Sequence, residues 1–74
     1  MLYRIGFPTQ QSIEFWARTW EFDQHSTRKI RCWGGEDKKI PSVDILMPET
    51  PEVIYDNHGR TVWTQEKGMV TDNG

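Results

Sequence analysis

The chain holds a single cysteine, Cys32, which has no second thiol to pair with, so the internal disulfides of small secreted scaffolds are excluded. The two histidines, His25 and His58, do not stand at standard ligand spacing with each other or with Cys32, and no metal centre is expected. The phosphate-loop pattern GxxxxGK is absent, as is GxGxxG; Gly34-Gly35 and Gly59 read as turns, and no cofactor is implied. No apolar run is long enough to cross a bilayer, and Met1 to Phe7 lacks the pattern of a secretion signal. A cytoplasmic setting without membrane attachment is the expectation. A basic excess is missing too. The formal net charge is −2, whereas a general nucleic-acid binder is clearly basic because phosphate contacts supply most of its affinity.

Aromatic mass is what the chain does have: four Trp, three Phe and two Tyr in 74 residues. A domain this short buries only about 60% of the surface its unfolded chain exposes. Large rings are the most economical way to fill such a core, and homodimerisation is the other route to a larger one. Charge is unevenly spread. Residues 1–39 carry seven Lys/Arg against five Asp/Glu, and residues 40–74 carry two against six. One half is mildly basic, the other acidic.

Leu2 to Phe7 alternates, with Tyr3, Ile5 and Phe7 on one side, and reads as a strand that Pro8 ends. The next stretch, 9–22, is two-sided. Its residues favour strand by propensity, yet Ile13, Trp16, Ala17 and Trp20 fall at i, i+3, i+4 and i+7, the apolar stripe of a helix. Thr9 can cap that helix. Read as one strand, the segment puts Glu14, Trp16, Arg18 and Trp20 on one face, a poor alternation, so the periodicity predicts a helix. Phe15 and Phe22 lie off its stripe.

Strands are expected at Thr27–Trp33, with Ile30 and Cys32 inward, and at Ser42–Met47, bracketed by Pro41 and Pro48 in the manner of an edge strand. Glu52–Tyr55 and Arg60–Gln65 flank Asp56-Asn57-His58-Gly59, which fits a type I turn with Gly59 at positive φ. The expectation is a single α+β domain over 1–65, one helix on a mostly antiparallel sheet, with 66–74 a frayed tail. The alternative is an all-β, six-stranded SH3-like or OB-like barrel.

Each reactive residue has a structural role that competes with a chemical one. His25 and His58 could serve a small nuclease if they converged on one phosphate, but both fall in turns, where polar side chains bond nearby backbone. Cys32 faces inward and reads as a small core hydrophobe. Arg28, Lys29, Arg31 and Trp33 combine cations with a stacking ring, the pattern of a single-strand nucleic-acid face, although edge strands also carry Lys and Arg to block aggregation. Asp44, Glu49, Glu52 and Asp56 form an acidic set suited to a basic groove on another protein, and Trp63 would join it as a hot spot if it pointed outward. With no catalytic motif, the composition points to a non-enzymatic protein-binding module. Small compact proteins of this kind occur among phages and mobile elements, where some occlude nucleic-acid-processing complexes of the bacterial host.

Overall fold

A computed structural model describes residues 1–35 and 42–70. Eight strands run in chain order: β1 Leu2–Gly6, β2 Ile13–Trp16, β3 Thr19–Asp23, β4 Ser26–Trp33, β5 Val43–Leu46, β6 Val53–Tyr55, β7 Thr61–Thr64 and β8 Gly68–Met69. They form two antiparallel sheets, of order β2-β1-β6-β7-β8 and β3-β4-β5. No helix occurs among the described residues. The α+β expectation is therefore overturned. The all-β alternative had the class, but counted six strands.

The helical stripe has a simple origin. Ile13 and Phe15 point inward from β2, and Trp20 and Phe22 point inward from β3. Between them, at Ala17 and Arg18, the chain passes from the first sheet to the second, and the inward positions change from odd to even. Side chains alternate strictly along a strand, so such a change of parity leaves apolar residues at mixed spacings. In one dimension the mixture resembles a period of 3.6. Ala17 is fully buried at the crossing, where its N–H donates to the Met1 carbonyl at 3.0 Å and its carbonyl accepts from the Met1 ammonium at 2.7 Å. One residue on, the Arg18 N–H donates to the Trp33 carbonyl of β4 at 2.9 Å. Consecutive residues thus belong to different sheets. Trp16, which the helix would have buried, lies on the outer face and is 62% exposed.

The inner faces meet on a chain of rings. Tyr3 stacks on Phe15 with centroids 5.2 Å apart, Phe15 meets Trp20 edge-on at 6.0 Å, Trp20 meets Phe22 at 5.6 Å, and Phe22 meets Trp63 at 4.8 Å. Offset and edge-to-face pairs of this kind add about 0.5–1.5 kcal/mol each beyond the area they bury. The chain starts on β1, crosses to the second sheet at Trp20, and returns to β7 of the first. Ile5, Ile30, Met47 and Ile54 fill the space beside it.

The β6–β7 hairpin closes as its sequence indicates. The Gly59 N–H donates to the Asp56 carbonyl at 3.1 Å, Gly59 takes φ +80°, and the register shifts between Ile54 and Tyr55. Part of the stretch read as tail returns as β8: Gly68, at φ +76°, and Met69 pair with Thr64 and Trp63. Residues 71–74 lie outside the described residues.

Two tryptophans four strands' worth of sequence apart should respond oppositely to truncation. Trp63→Ala is expected to cost about 3–5 kcal/mol, the range for emptying an aromatic site in a core. Trp16→Ala should fall within about 0.5 kcal/mol of wild type, as for an exposed position. Urea unfolding monitored by far-UV circular dichroism separates the two; equal losses would restore Trp16 to the core.

Candidate functional site

The nucleic-acid pattern read from sequence is taken apart by the fold. On the outer face of the three-stranded sheet, Glu21 of β3, Arg31 of β4 and Asp44 of β5 form one cross-strand row. Arg31 Nε donates to Asp44 Oδ1 at 3.0 Å, and Lys29 Nζ lies 3.5 Å from Asp44 Oδ2. The Arg31 guanidinium holds the Asp44 carboxyl below its ordinary value, and Lys29 adds to the effect. The shallow hollow around this row is lined by Glu21, Asp23, Lys29, Arg31 and Asp44, three carboxylates to two cations. Trp33 is 6% exposed, so its ring offers no stacking surface. Arg28 points elsewhere and donates from Nε to the Met47 carbonyl at 3.3 Å.

The acidic residues are likewise not one surface. Glu49 is a clasp: its carboxylate accepts the Thr9 and Gln10 N–H groups, both at 2.9 Å, and the Thr9 hydroxyl, tying the β5–β6 connector to the β1–β2 loop. The Thr9 N–H is the chief reason its pKa lies below the ordinary value. Asp56 organises the hairpin turn, accepting the Arg60 and His58 N–H groups on Oδ1 at 2.9 Å each, and the Arg60 bond leads in depressing its pKa. Asp44 belongs to the row described above. Glu52 is exposed, and among the described residues its backbone bonds Gly6 and Gln65 while its carboxylate holds no turn or ion pair. Trp63 is 7% exposed and packs on Phe22, which removes it as an outward hot spot.

His25 sits in the β3–β4 turn, where its N–H donates to Asp23, and His58 in the β6–β7 turn of the other sheet. Each is exposed and serves its own turn. Burial pushes the Cys32 thiol up, away from the reactive thiolate. Among the described residues no group of three or more His, Cys, Asp and Glu could hold a metal ion, and no helix is long and apolar enough to cross a membrane.

The outer face of the five-stranded sheet is where unassigned chemistry collects. Leu2 pairs with Trp16, and Arg4 stands between Glu14 on one side and Tyr55 on the other. Arg4 and Glu14 form an exposed ion pair at 3.5 Å. A groove of about 510 Å³ runs between these residues and the hairpin, lined by Leu2, Arg4, Glu14, Tyr55, Asn57 and Gly59. Leu2, which lines it, its cross-strand partner Trp16 and the preceding Met1 are all exposed. Side chains of a cross-strand pair such as Leu2 and Trp16 touch directly. This face was not found from the sequence. The helix expected over 9–22 would have buried Trp16; the change of sheet at Ala17 and Arg18 instead leaves its ring in solvent.

Two outcomes follow. Glu49 and Asp56 have folded pKa values below their ordinary ones, so their stabilisation is complete above the ordinary range and is lost as pH falls through the folded values. The urea midpoint should therefore drop on acidification below about 4.5, the ordinary glutamate value. Glu49→Gln should make that dependence shallower; an unchanged slope would exclude the clasp. Cys32 should react slowly with a thiol reagent in the folded protein and rapidly in urea, which a timed chromogenic disulfide assay reads directly.

Comparison with known proteins finds no family model, no curated protein and no solved structure that matches the chain, so its function has to be read from this geometry.

Proposed function

We propose that this chain is a non-enzymatic protein-binding module that docks through the outer face of its five-stranded sheet, with Trp16 as the anchor. One observation carries the reading: an indole, 62% exposed, stands on a strand beside the exposed Leu2 and Met1 and near a groove lined by Leu2, Arg4, Glu14 and Tyr55. Binding hot spots concentrate in Trp, Tyr and Arg set among neighbours that exclude water, and this face presents Trp16, Tyr55 and Arg4 together. Apolar groups on one side and an Arg–Glu pair on the other supply both affinity and register. The reactive side chains meanwhile serve turns or the core. A domain of this size acts by covering surface. In the cytoplasm its mode of action is occlusion of a larger complex, such as the nucleic-acid-processing machinery of a bacterial host.

The acidic set is not the anchor in this reading, because Asp44, Glu49 and Asp56 already have partners within the chain. A single-strand nucleic-acid face at Lys29, Arg31 and Trp33 draws no support from a buried ring and a carboxylate-lined row.

The test is affinity capture with the folded protein and its Trp16→Ala variant, followed by titration of the captured partner. Loss of the indole should weaken the complex by about 2 kcal/mol or more, roughly 30-fold. Equal affinity would sink the assignment. In parallel, filter binding of single-stranded DNA at two salt concentrations should show no retention that salt removes; salt-sensitive binding would restore the nucleic-acid reading, since counterion release accompanies phosphate contacts.

A further inference from the structure

The four sheet edges are not equivalent. Native proteins blunt an edge with proline, lysine, charge, a bulge or extreme shortness. β5 is followed two residues on by Pro48 and carries Asp44, held by Arg31 and Lys29. β3 has a bulge between Phe22 and Asp23 and carries Glu21 and Asp23. β8 is two residues long. β2 reads Ile13-Glu14-Phe15-Trp16; it has no proline, lysine or bulge, and its one charge, Glu14, is offset by Arg4 beside it.

The backbone of β2 has a definite outward set. Met1 and Ala17 exchange both N–H···O bonds, so they are a hydrogen-bonded pair of the β1–β2 ladder. Antiparallel ladders alternate, which makes Tyr3–Phe15 and Ile5–Ile13 hydrogen-bonded pairs as well. The N–H and C=O groups of Glu14 and Trp16 therefore face away from β1, and no described strand lies beyond them.

From this we infer that the face under Proposed function is completed by a second copy of the chain, the two β2 strands pairing antiparallel across a two-fold axis at Phe15. The inference rests on that docking reading and names its partner. In this register Glu14 of one copy lies opposite Trp16 of the other, and the four outward residues exchange four hydrogen bonds. A two-fold contact uses the same patch on both copies, so whatever one strand offers the other must accept. The neighbouring registers fail on that ground. One sets Glu14 against Glu14, a like-charge pair. The other sets Glu14 against Arg18, whose N–H is already committed to Trp33 of the other sheet.

Side chains on the outer face agree with the chosen register. Across the junction the row reads Leu2, Trp16, then Glu14 and Arg4 of the second copy. Each exposed indole is brought over the Arg4–Glu14 pair of its neighbour, within reach of a cation–π contact and the aliphatic stems. The ten strands of the two joined sheets are then continuous, and neither copy keeps an open β2 edge.

Sedimentation equilibrium of the purified full chain tests this. Wild type is expected to approach the mass of two chains at high concentration and to dissociate on dilution; one chain at every concentration overturns the inference. Glu14→Pro is the decisive variant. Among the described residues the N–H it removes faces no partner strand, and proline is tolerated on an edge strand. It should leave a folded protein of one-chain mass, and a folded two-chain Glu14→Pro overturns the inference. If that variant fails to fold, Trp16→Ala stands in: association weakened at least tenfold supports the inference, and unchanged association overturns it. Leu46→Asp on β5 should leave the mass at two chains; a single chain there would place the contact on the other sheet and overturn the proposal. The two readings fail separately. A single-chain protein that still captures another protein through Trp16 overturns only the self-pairing, and a dimer that captures nothing else overturns only the wider reading.

Discussion

The contact between Phe22 and Trp63 is the one on which the rest of the molecule depends. Their rings, 4.8 Å apart, join β3 of one sheet to β7 of the other. Neither sheet can stand without such a junction. The apolar face of a sheet has to be buried against another element, and each cross-strand residue pair contributes only about 0.2–1 kcal/mol. The ring chain from Tyr3 through Phe15 and Trp20 to Phe22 makes the same join from the other side, so the two inner faces are sewn at both β2–β3 and β7. With no disulfide and no metal site among its described residues, the domain draws its cohesion from these rings and the aliphatic residues beside them.

Strand positions were legible where alternation ran unbroken. Tyr3, Ile5 and Phe7 alternate in β1 and just beyond it, and all three turn inward. Ile30 and Cys32 do so in β4, and the Asp56–Gly59 turn announced its own hairpin. The reading failed at Ala17 and Arg18 because periodicity is a local signal and a change of sheet is not. Two half-strands of opposite parity, joined by two residues, carry the same apolar spacing as one amphipathic helix. Phe15 and Phe22, off the helical stripe, pack in or against the core together with Ile13, Ala17 and Trp20 of the stripe, and only Trp16 is left outside. Propensity, which favoured strand through this stretch, held the better information.

The chemistry was legible residue by residue but not as constellations. His25 and His58 lie in turns and Cys32 lies inward, as their places in the sequence indicated. Lys29 and Arg31 do share a face, as alternation implies. What one strand cannot reveal is its neighbour, and β5 brings Asp44 against both cations. The +2 and −4 halves of the chain therefore meet in part across a sheet, and the apparent division into a basic and an acidic face disappears there. The feature left over is Trp16, which has no task inside the fold.

The position of β1 bears on how the chain reaches this structure. It is the second strand of its sheet, with β2 on one side and β6 on the other. Its pairing with β2 is local, whereas Arg4 lies opposite Tyr55 and Ile5 opposite Ile54. About fifty residues must be ordered or looped out before that second pairing can form, and the loop-closure entropy is lost before the contact returns anything. Topologies dominated by such distant pairings fold in milliseconds to seconds, slower than helical domains of equal length. During synthesis β1 and β2 emerge before β6 and β7, so the β1 edge that β6 will cover stays unpaired until the β6–β7 hairpin has left the ribosome. β1 is thus made before β6 and is among the last of these strands to be fully paired.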